Sequence, residues 1–147
     1  MSKIKEQLEI PDLPEMKEFD FKNLGNAEWV IGELTEEIIL KMGLDVDPGE
    51  IVINKWRIRH IKKHKKDFQT EEEFWEHINE IPNILKSPDY IGPHPDGGSL
   101  QFIKKINENM LVAVKVQDVE NLTVWTAYLL KNTTLQNYIA SGRIHKV

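Results

Sequence analysis

The sequence predicts an α+β domain in which N-terminal helices pack on a four- to five-stranded antiparallel meander, with a short C-terminal helix. Two observations predict this class. Segments with helical spacing and suitable caps dominate the chain up to about residue 86. Beyond residue 98 the apolar residues recur with a period of two, and polar breaks separate the resulting segments. Helices followed by a run of antiparallel strands are typical of α+β domains.

The first predicted elements are a short strand and a capped helix. Residues 28–32, Glu-Trp-Val-Ile-Gly, predict the strand. Thr35 is a suitable N-cap for the helix that follows, and Gly43 is a suitable residue to end it. Residues 51–53 then predict a second brief strand, which leads into the next helix.

A strongly basic helix comes next. Seven Lys and Arg residues fall within Lys55–Lys66, and Asn54 is a good N-cap for this segment. At about 100° per residue the helix has an apolar stripe and a basic face. The apolar positions are Ile58, Ile61 and Phe68, and the basic ones are Arg59, Lys62, Lys63 and Lys66. His60 and His64 lie one turn apart on the border between these faces, and Trp56 lies one turn earlier. A side chain on this border can be held by packing and still reach solvent and substrate.

The remaining helical part of the chain ends in a loop. Thr70 begins a helix with the capping-box pattern Thr-Glu-Glu-Glu, and Pro82 opens a further short helical turn that reaches residue 86. Residues 89–98, Asp-Tyr-Ile-Gly-Pro-His-Pro-Asp-Gly-Gly, are rich in chain breakers. They predict a loop.

Three strands and one helix complete the predicted fold. The strands cover residues 100–106, 110–117 and 122–130, and the short polar breaks between them suit hairpins. Thr133 or Thr134 is expected to cap the last helix, which ends at Ser-Gly-Arg, residues 141–143.

Charge is distributed unevenly along the chain. The formal net charge is −5, but residues 1–50 carry five Lys and thirteen Asp or Glu, a balance of −8. Residues 51–147 carry fourteen Lys or Arg and eleven Asp or Glu, a balance of +3, which allows electrostatic binding of nucleic acid. We expect residues 1–25 to be a loosely ordered acidic segment, either solubilising or shielding the basic surface, and residues 26–147 to be one domain.

Composition removes several classes of protein. The absence of cysteine excludes disulfides, thiol nucleophiles and thiolate metal sites. No apolar stretch is long enough for a membrane span, and the first residues have no secretory-signal pattern, so a cytoplasmic protein is expected. The Walker, Gly-x-Gly-x-x-Gly and Gly-x-Ser-x-Gly motifs of nucleotide-binding proteins and serine hydrolases are absent.

Alternation along the predicted strands groups a small set of reactive side chains. The alternation directs Lys115 away from the core face of its strand, and Val124, Thr126 and Tyr128 form one face of the next strand. A lysine, histidines and hydroxyls on one surface suit RNA cleavage. One imidazole takes the proton of the ribose 2′-OH, a second acid protonates the leaving 5′-oxygen, and the lysine offsets the charge on the phosphorane. The plainer interpretation is a solvated basic helix and a lysine on an exposed sheet face.

A zinc site is the alternative for the two histidines. His60-x-x-x-His64 has the spacing of two helix-borne ligands, but the Glu of the His-Glu-x-x-His motif is replaced by Ile61. A third ligand would have to come from His94 or Asp96. We therefore expect no metal and no other cofactor.

Five motifs follow one another in the chain: Arg-His-Ile-Lys-Lys-His, Ile-Pro-Asn-Ile-Leu-Lys-Ser-Pro-Asp-Tyr-Ile-Gly, Phe-Ile-Lys-Lys-Ile, Leu-Val-Ala-Val-Lys-Val and Val-Trp-Thr-Ala-Tyr. In this order they resemble the phage- and mobile-element-borne nuclease domains of the barnase–EndoU–colicin–RelE superfamily, which are small metal-independent ribonucleases. The resemblance covers roughly residues 28–147. It implies helices packed on a four- or five-stranded antiparallel sheet whose open face holds the active site.

The resemblance also implies roles for individual residues. The catalytic residues would be His60, His64, Lys115, Thr126 and Tyr128, and Arg143 would contact a phosphate. Apart from the resemblance, the expected RNA-binding residues include Lys55, Arg59 and Lys63 of the basic segment, together with Lys104. The expected partner is RNA, either tRNA or mRNA, and a toxin of this kind would need an inhibitor protein. A catalytically inactive fold that binds RNA or protein is the alternative function, and a purely structural α+β protein is the third.

Overall fold

The alternating apolar residues of the described chain, residues 28–147, pair into one seven-stranded sheet in this computed structural model. The strands are β1 (Trp29–Leu34), β2 (Gly49–Ile53), β3 (Tyr90–Pro93), β4 (Ser99–Lys105), β5 (Asn109–Lys115), β6 (Leu122–Leu129) and β7 (His145–Lys146). Their order in the sheet is β1-β2-β6-β5-β4-β3-β7. β2 and β6 are parallel, and the other neighbouring strands are antiparallel.

Three of the five α-helices in residues 28–147 begin where the sequence supplies a capping side chain. The five are α1 (Glu36–Met42), α2 (Lys55–Ile61), α3 (Glu71–Ile78), α4 (Ile81–Lys86) and α5 (Asn132–Ala140), with a 3₁₀ helix at Lys62–Asp67. The side chains of Thr35, Asn54 and Thr70 each accept a hydrogen bond from the backbone N–H three residues later, as predicted. Gly43 ends α1 with φ 65°, a conformation that favours glycine.

The α+β class and the β4–β5–β6 meander are confirmed, but the sheet is larger than predicted and is not wholly antiparallel. Its order differs because Ile51 and Val52 of β2 pair in parallel with Leu122 and Thr123 of β6, and β1 then extends the sheet beyond β2. The strands predicted at residues 28–32 and 51–53 are confirmed as β1 and β2, but they join the same sheet as the later strands, so the helices do not all precede the sheet.

The other end of the sheet also differs from the prediction. Residues 90–93, predicted as part of a loop, form β3, which pairs with β4 and with the short β7. Pro93 is tolerated because β7 pairs only with Tyr90 and Ile91, which leaves β3 as an edge strand at Pro93. The cap at Thr133 or Thr134 is wrong as well, since α5 follows Lys131 and has no side-chain cap.

The basic segment folds as two helical pieces. The α-helix stops at Ile61 and the chain continues as the 3₁₀ helix, so the predicted single α-helix is wrong in its second half. The apolar stripe is confirmed, because Ile58, Ile61 and Phe68 are all buried. Phe68 lies 5.4 Å from Phe74 of α3 between ring centroids, which fixes the end of the 3₁₀ helix on the core.

Helices cover both faces of the sheet to different extents. The larger apolar cluster includes residues from α2, α3 and α4, such as Ile58, Phe74 and Ile84, packed on one face. On the other face α5 contributes Leu135 to a smaller cluster with Leu111. The predicted acidic segment, residues 1–25, lies outside the described residues. Within residues 28–147 the longest apolar helices are too short to cross a bilayer.

Candidate active site

A cleft of about 340 Å³ lies on the sheet face that α5 only partly covers. Three adjacent strands and the β3–β4 loop line it. Its residues are Ser99 and Gln101 of β4, Ala113 and Lys115 of β5, Trp125, Thr126 and Tyr128 of β6, and His94, Asp96 and Gly98 of the loop. Of the predicted catalytic residues, Lys115, Thr126 and Tyr128 therefore share one cavity.

A β-bulge in β6 decides which side chains enter this cleft. Ala113 pairs with Thr126, but Val114 pairs with Val124, so Trp125 is an extra residue in β6. Val124 is consequently buried in the main core, and the alternation that placed it beside Thr126 is wrong. The bulge brings Trp125 into the cleft next to Thr126, which regular alternation did not predict.

Trp125 holds two cations at the cleft. The Lys115 ammonium lies 4.2 Å from the centroid of the Trp125 ring, and the Arg57 guanidinium carbon lies 3.8 Å from it. Both contacts are within cation–π range. Arg57 Nε and Nη2 also donate to the backbone carbonyl of Trp125, at 2.9 and 2.6 Å. Arg57 thereby ties α2 to the bulge, a role that the sequence gave no sign of.

Neither helix histidine lines the cleft, but His64 contacts Tyr128, which does, and His60 lies next to His64. Because β2 pairs with only two residues of β6, the chain that follows it lies beside the rest of β6 as α2 and the 3₁₀ helix. The His64 ring centroid lies 5.5 Å from that of Tyr128 and 6.3 Å from that of His60. His64 Nδ1 is also 3.6 Å from an Asp67 carboxylate oxygen, which forms an ion pair with the protonated imidazole.

Tyr128 in the cleft and His60 on α2 both have pKa values displaced from the ordinary range. Burial lowers the pKa of His60 and the positive charges of Arg57, Lys63 and His64 lower it further, so its neutral form is favoured. Burial raises the pKa of Tyr128, which keeps the phenol protonated and able to donate a hydrogen bond. These shifts favour a neutral imidazole at His60 and a protonated phenol at Tyr128.

The floor of the cleft offers space and a hydroxyl group. Ala113 is the middle residue of a cross-strand row, Gln101–Ala113–Thr126, and its small side chain leaves room above the sheet. The Thr126 Oγ1 is buried and, among residues 28–147, has no hydrogen-bond partner. A buried hydroxyl without a partner costs about 1–3 kcal/mol, so a substrate oxygen placed there would recover this cost.

A second histidine–carboxylate pair lies at the loop end of the cleft. His94 Nδ1 is 3.1 Å from Asp96 Oδ1 and 3.1 Å from the Asp96 backbone nitrogen. In the first contact Nδ1 donates a proton and in the second it accepts one, so the tautomer decides which is made. A hydrogen bond from the Gly98 backbone, more than the nearby His94, lowers the pKa of Asp96. Sequence reasoning considered this pair only as a source of metal ligands.

Arg143, which was predicted to contact a phosphate, lies at the same end of the cleft. Its Nε donates to Gln101 Oε1 at 3.2 Å, and its guanidinium carbon lies 3.9 Å from the Tyr138 ring centroid. Gln101 is 2% exposed, so the bond to Arg143 satisfies a buried amide oxygen. The placement of Gln101 was missed because alternation alone did not distinguish it from the core residues beside it.

The remaining predicted RNA contacts separate into two groups. Lys55, Arg59 and Lys63 lie on α2 and the start of the 3₁₀ helix, the elements that carry the histidines. Lys104 lies elsewhere, since its ammonium donates to the Ser87 carbonyl at 2.8 Å and is 3.6 Å from an Asp89 carboxylate oxygen. It is five residues, or about 17 Å, along β4 from Ser99.

The alternative of a histidine-based metal site has no geometric counterpart in the described chain. Within residues 28–147, no three His, Asp or Glu side chains converge closely enough to hold a metal ion. His94 and Asp96 therefore do not complete a metal site with His60 and His64.

Comparison with known proteins gives one family. The model of the family described as phage-Barnase-EndoU-ColicinE5/D-RelE like nuclease 3 matches residues 28–137, which include both histidines, Lys115 and the β6 bulge. No curated protein and no solved structure matches the chain.

Proposed function

This chain belongs to the phage-Barnase-EndoU-ColicinE5/D-RelE like nuclease family, and from that premise we propose that it is an endoribonuclease that cleaves RNA by 2′-OH attack. The observation that supports this most directly is the approach of His64 to Tyr128 at the cleft that holds Lys115 and Thr126. The proposed target is a tRNA or an mRNA. DNA is not a substrate of this reaction because it lacks the internal nucleophile.

The scissile phosphate binds on the cleft floor above Ala113. One non-bridging oxygen accepts hydrogen bonds from the hydroxyls of Thr126 and Tyr128, and Lys115 lies beside the phosphorus. The Tyr128 phenol is protonated at neutral pH, so it donates to the phosphate without adding negative charge. Arg143 contacts an adjacent phosphate at the Gln101 end of the cleft.

Two imidazoles move the protons of the reaction. His60, whose pKa is lowered, is neutral and takes the proton from the 2′-OH as the O2′–P bond forms. His64 acts in its imidazolium form, with which the Asp67 carboxylate can pair, and donates a proton to the 5′-oxygen as the P–O5′ bond breaks. The products are a 2′,3′-cyclic phosphate and a 5′-hydroxyl. Lys115 stabilises the charge that builds up on the phosphorane oxygens, where preorganised cations contribute most to rate.

Cleavage of a defined RNA oligonucleotide in EDTA tests this proposal. We expect the unmodified strand to be cut and the same strand with a single 2′-deoxy substitution at the cut position to resist. His60→Ala and His64→Ala are each expected to lower kcat at least about tenfold, and the double variant little more than the worse single one, because the two act as a unit.

A matched control separates catalysis from general effects of removing a histidine. His145 is exposed on β7 and does not line the cleft, so His145→Ala should leave kcat unchanged. Equal cutting of the deoxy-substituted strand would contradict 2′-OH attack. Binding without cleavage by the native protein, with affinity that falls steeply in salt, would instead indicate an inactive RNA-binding fold.

A further inference from the structure

Trp56 is a large apolar side chain that the core does not use. Its indole is 64% exposed on the first turn of α2, whereas Ile58 and Ile61 of the same helix are buried. Two cations flank the ring: Lys55 Nζ lies 5.5 Å and Arg59 Cζ lies 4.9 Å from its centroid. An exposed aromatic ring among cations is the combination that single-stranded nucleic acid recognition uses, with bases on the ring and phosphates on the cations.

The relative strengths of these contacts favour a nucleobase over the cations as the partner of the ring. A cation–π contact at an exposed site contributes about 0.5–1 kcal/mol. Stacking of a base on an aromatic side chain contributes about 1–3 kcal/mol. A base can therefore displace Arg59 from the Trp56 ring, and the displaced guanidinium is then free to meet the neighbouring phosphate.

The position of Trp56 relates it to the cleavage site. Residues four apart lie above one another on a helix, about 6 Å apart along its axis. Trp56 and His60 are four residues apart on α2, and the His64 ring, at the start of the 3₁₀ helix, has its centroid 6.3 Å from that of His60. Trp56 is therefore one helical turn from the proposed base His60, where a nucleotide that flanks the scissile phosphate can reach it.

We infer that Trp56 is a stacking platform for an unpaired base next to the scissile phosphate, so that the substrate is single-stranded RNA. This inference rests on the proposed function, in which RNA is cleaved at the cleft. A base must leave the duplex to stack on a side chain, and every base has a stacking face. Trp56 thus selects for single strands and not for sequence.

Binding to a non-cleavable 2′-O-methyl RNA strand tests the platform without requiring cleavage. Trp56→Ala should lower the affinity for the single strand about 5- to 150-fold and leave the affinity for the paired duplex of the same sequence unchanged. Trp56→Phe should retain most of the affinity. Leu40→Ala, at another exposed apolar residue on α1, should change neither.

Two further measurements separate stacking from electrostatics. Arg59→Gln should reduce the salt dependence of binding by about 0.7 in log–log slope, whereas Trp56→Ala should not change that slope. Removing one base from the strand should weaken its binding to the native protein. The same change should have little effect on its binding to the Trp56→Ala variant, which already lacks the stacking ring. Native-like affinity of Trp56→Ala, or an equal loss on single strand and duplex, would overturn the inference.

The outcomes also distinguish this inference from the proposed function. Trp56→Ala with unchanged binding and unchanged cleavage would remove the platform alone, and would leave the exposed indole to a protein partner such as an inhibitor. A native protein that binds through Trp56 but does not cut would remove the catalytic proposal alone.

Discussion

The Lys115 ammonium lies 4.2 Å from the centroid of the Trp125 ring, and this contact exists because a bulge turns Trp125 into the cleft. Lysine side chains are long and flexible, so an ammonium needs a partner to stay in one place. Trp125 supplies that partner, and Arg57 fixes Trp125 through the backbone carbonyl of the same residue. Lys115, the candidate phosphate-stabilising group, is thus positioned by Trp125 of β6 and, through it, by Arg57 of α2.

Trp125→Leu should lower kcat about tenfold or more while leaving the fold intact, because a displacement of about 1 Å in a catalytic group is costly. Trp125→Phe should retain more activity, since it keeps a ring for the ammonium. Steady-state cleavage and thermal melting measure the two effects.

Trp75 provides the matched control for this prediction. Its ring also has a lysine near it, with Lys62 Nζ at 5.6 Å, but it does not line the cleft. Trp75→Leu should therefore affect stability and not kcat. Equal kcat for native protein and Trp125→Leu would show that the ring does not position Lys115.

The pKa of His60 should respond to a neighbouring charge. Lys63 is one of the charges that lower it, so Lys63→Gln should raise the His60 pKa toward the ordinary value. The base must be neutral to act, and cleavage rises with pH as it loses its proton. The acidic limb of the pH–rate profile should therefore move to higher pH in this variant.

Proton NMR titration of the His60 ring measures the same shift without catalysis. Lys66→Gln removes an equal charge from the exposed face, but Lys66 is not among the charges that act on His60. Lys66→Gln should change neither the His60 pKa nor the position of the acidic limb of the pH–rate profile. Movement of the limb to lower pH in Lys63→Gln would contradict the assignment of His60 as the base.

Local signals in the sequence predicted the elements better than they predicted their arrangement. Thr35, Asn54 and Thr70 each specify a helix start through one side-chain bond to the nearby backbone, and those starts are confirmed. The parallel pairing of β2 with β6 joins residues about seventy positions apart, and no local pattern encodes it. Alternation predicted Lys115 and Thr126 on one surface, but a single inserted residue placed Val124 in the core.

Gly92 controls the position of Arg143 across the sheet. A Cβ at Gly92 would collide with the backbone carbonyl oxygen of Arg143 and with the Ile144 Cα. Gly92→Ala should therefore push this segment outward, break the bond from Arg143 to Gln101, raise KM and destabilise the fold by about 1–3 kcal/mol. Chemical denaturation and steady-state cleavage report the two effects separately.

A double-variant cycle identifies how Gly92 acts. If it acts on the site through Arg143, adding Gly92→Ala to Arg143→Ala should change KM no further while still lowering stability. Gly49→Ala in β2 is the control, because a Cβ there would meet only Leu122 Cδ1 at 3.8 Å, an ordinary contact. A KM effect of Gly92→Ala that persists without the Arg143 side chain would refute this route.

Thr126 should show opposite effects on stability and on activity. Its Oγ1 is buried without a partner among residues 28–147, so Thr126→Val, which replaces the hydroxyl with a methyl of similar size, removes an unsatisfied polar group. We expect the free energy of unfolding to stay equal or to rise by up to about 1 kcal/mol. We expect kcat to fall about tenfold, because the phosphate oxygen loses a donor that was already in place.

Thr123, three residues earlier in β6, gives the comparison that makes this test decisive. Its Oγ1 donates to the Asn121 carbonyl at 2.7 Å, so Thr123→Val removes a partly buried hydrogen bond and should lower stability by about 1 kcal/mol. Thr123 does not line the cleft, and its variant should keep native kcat. If Thr126→Val instead lost stability and kept its activity, the hydroxyl would have a structural partner and no part in holding the phosphate.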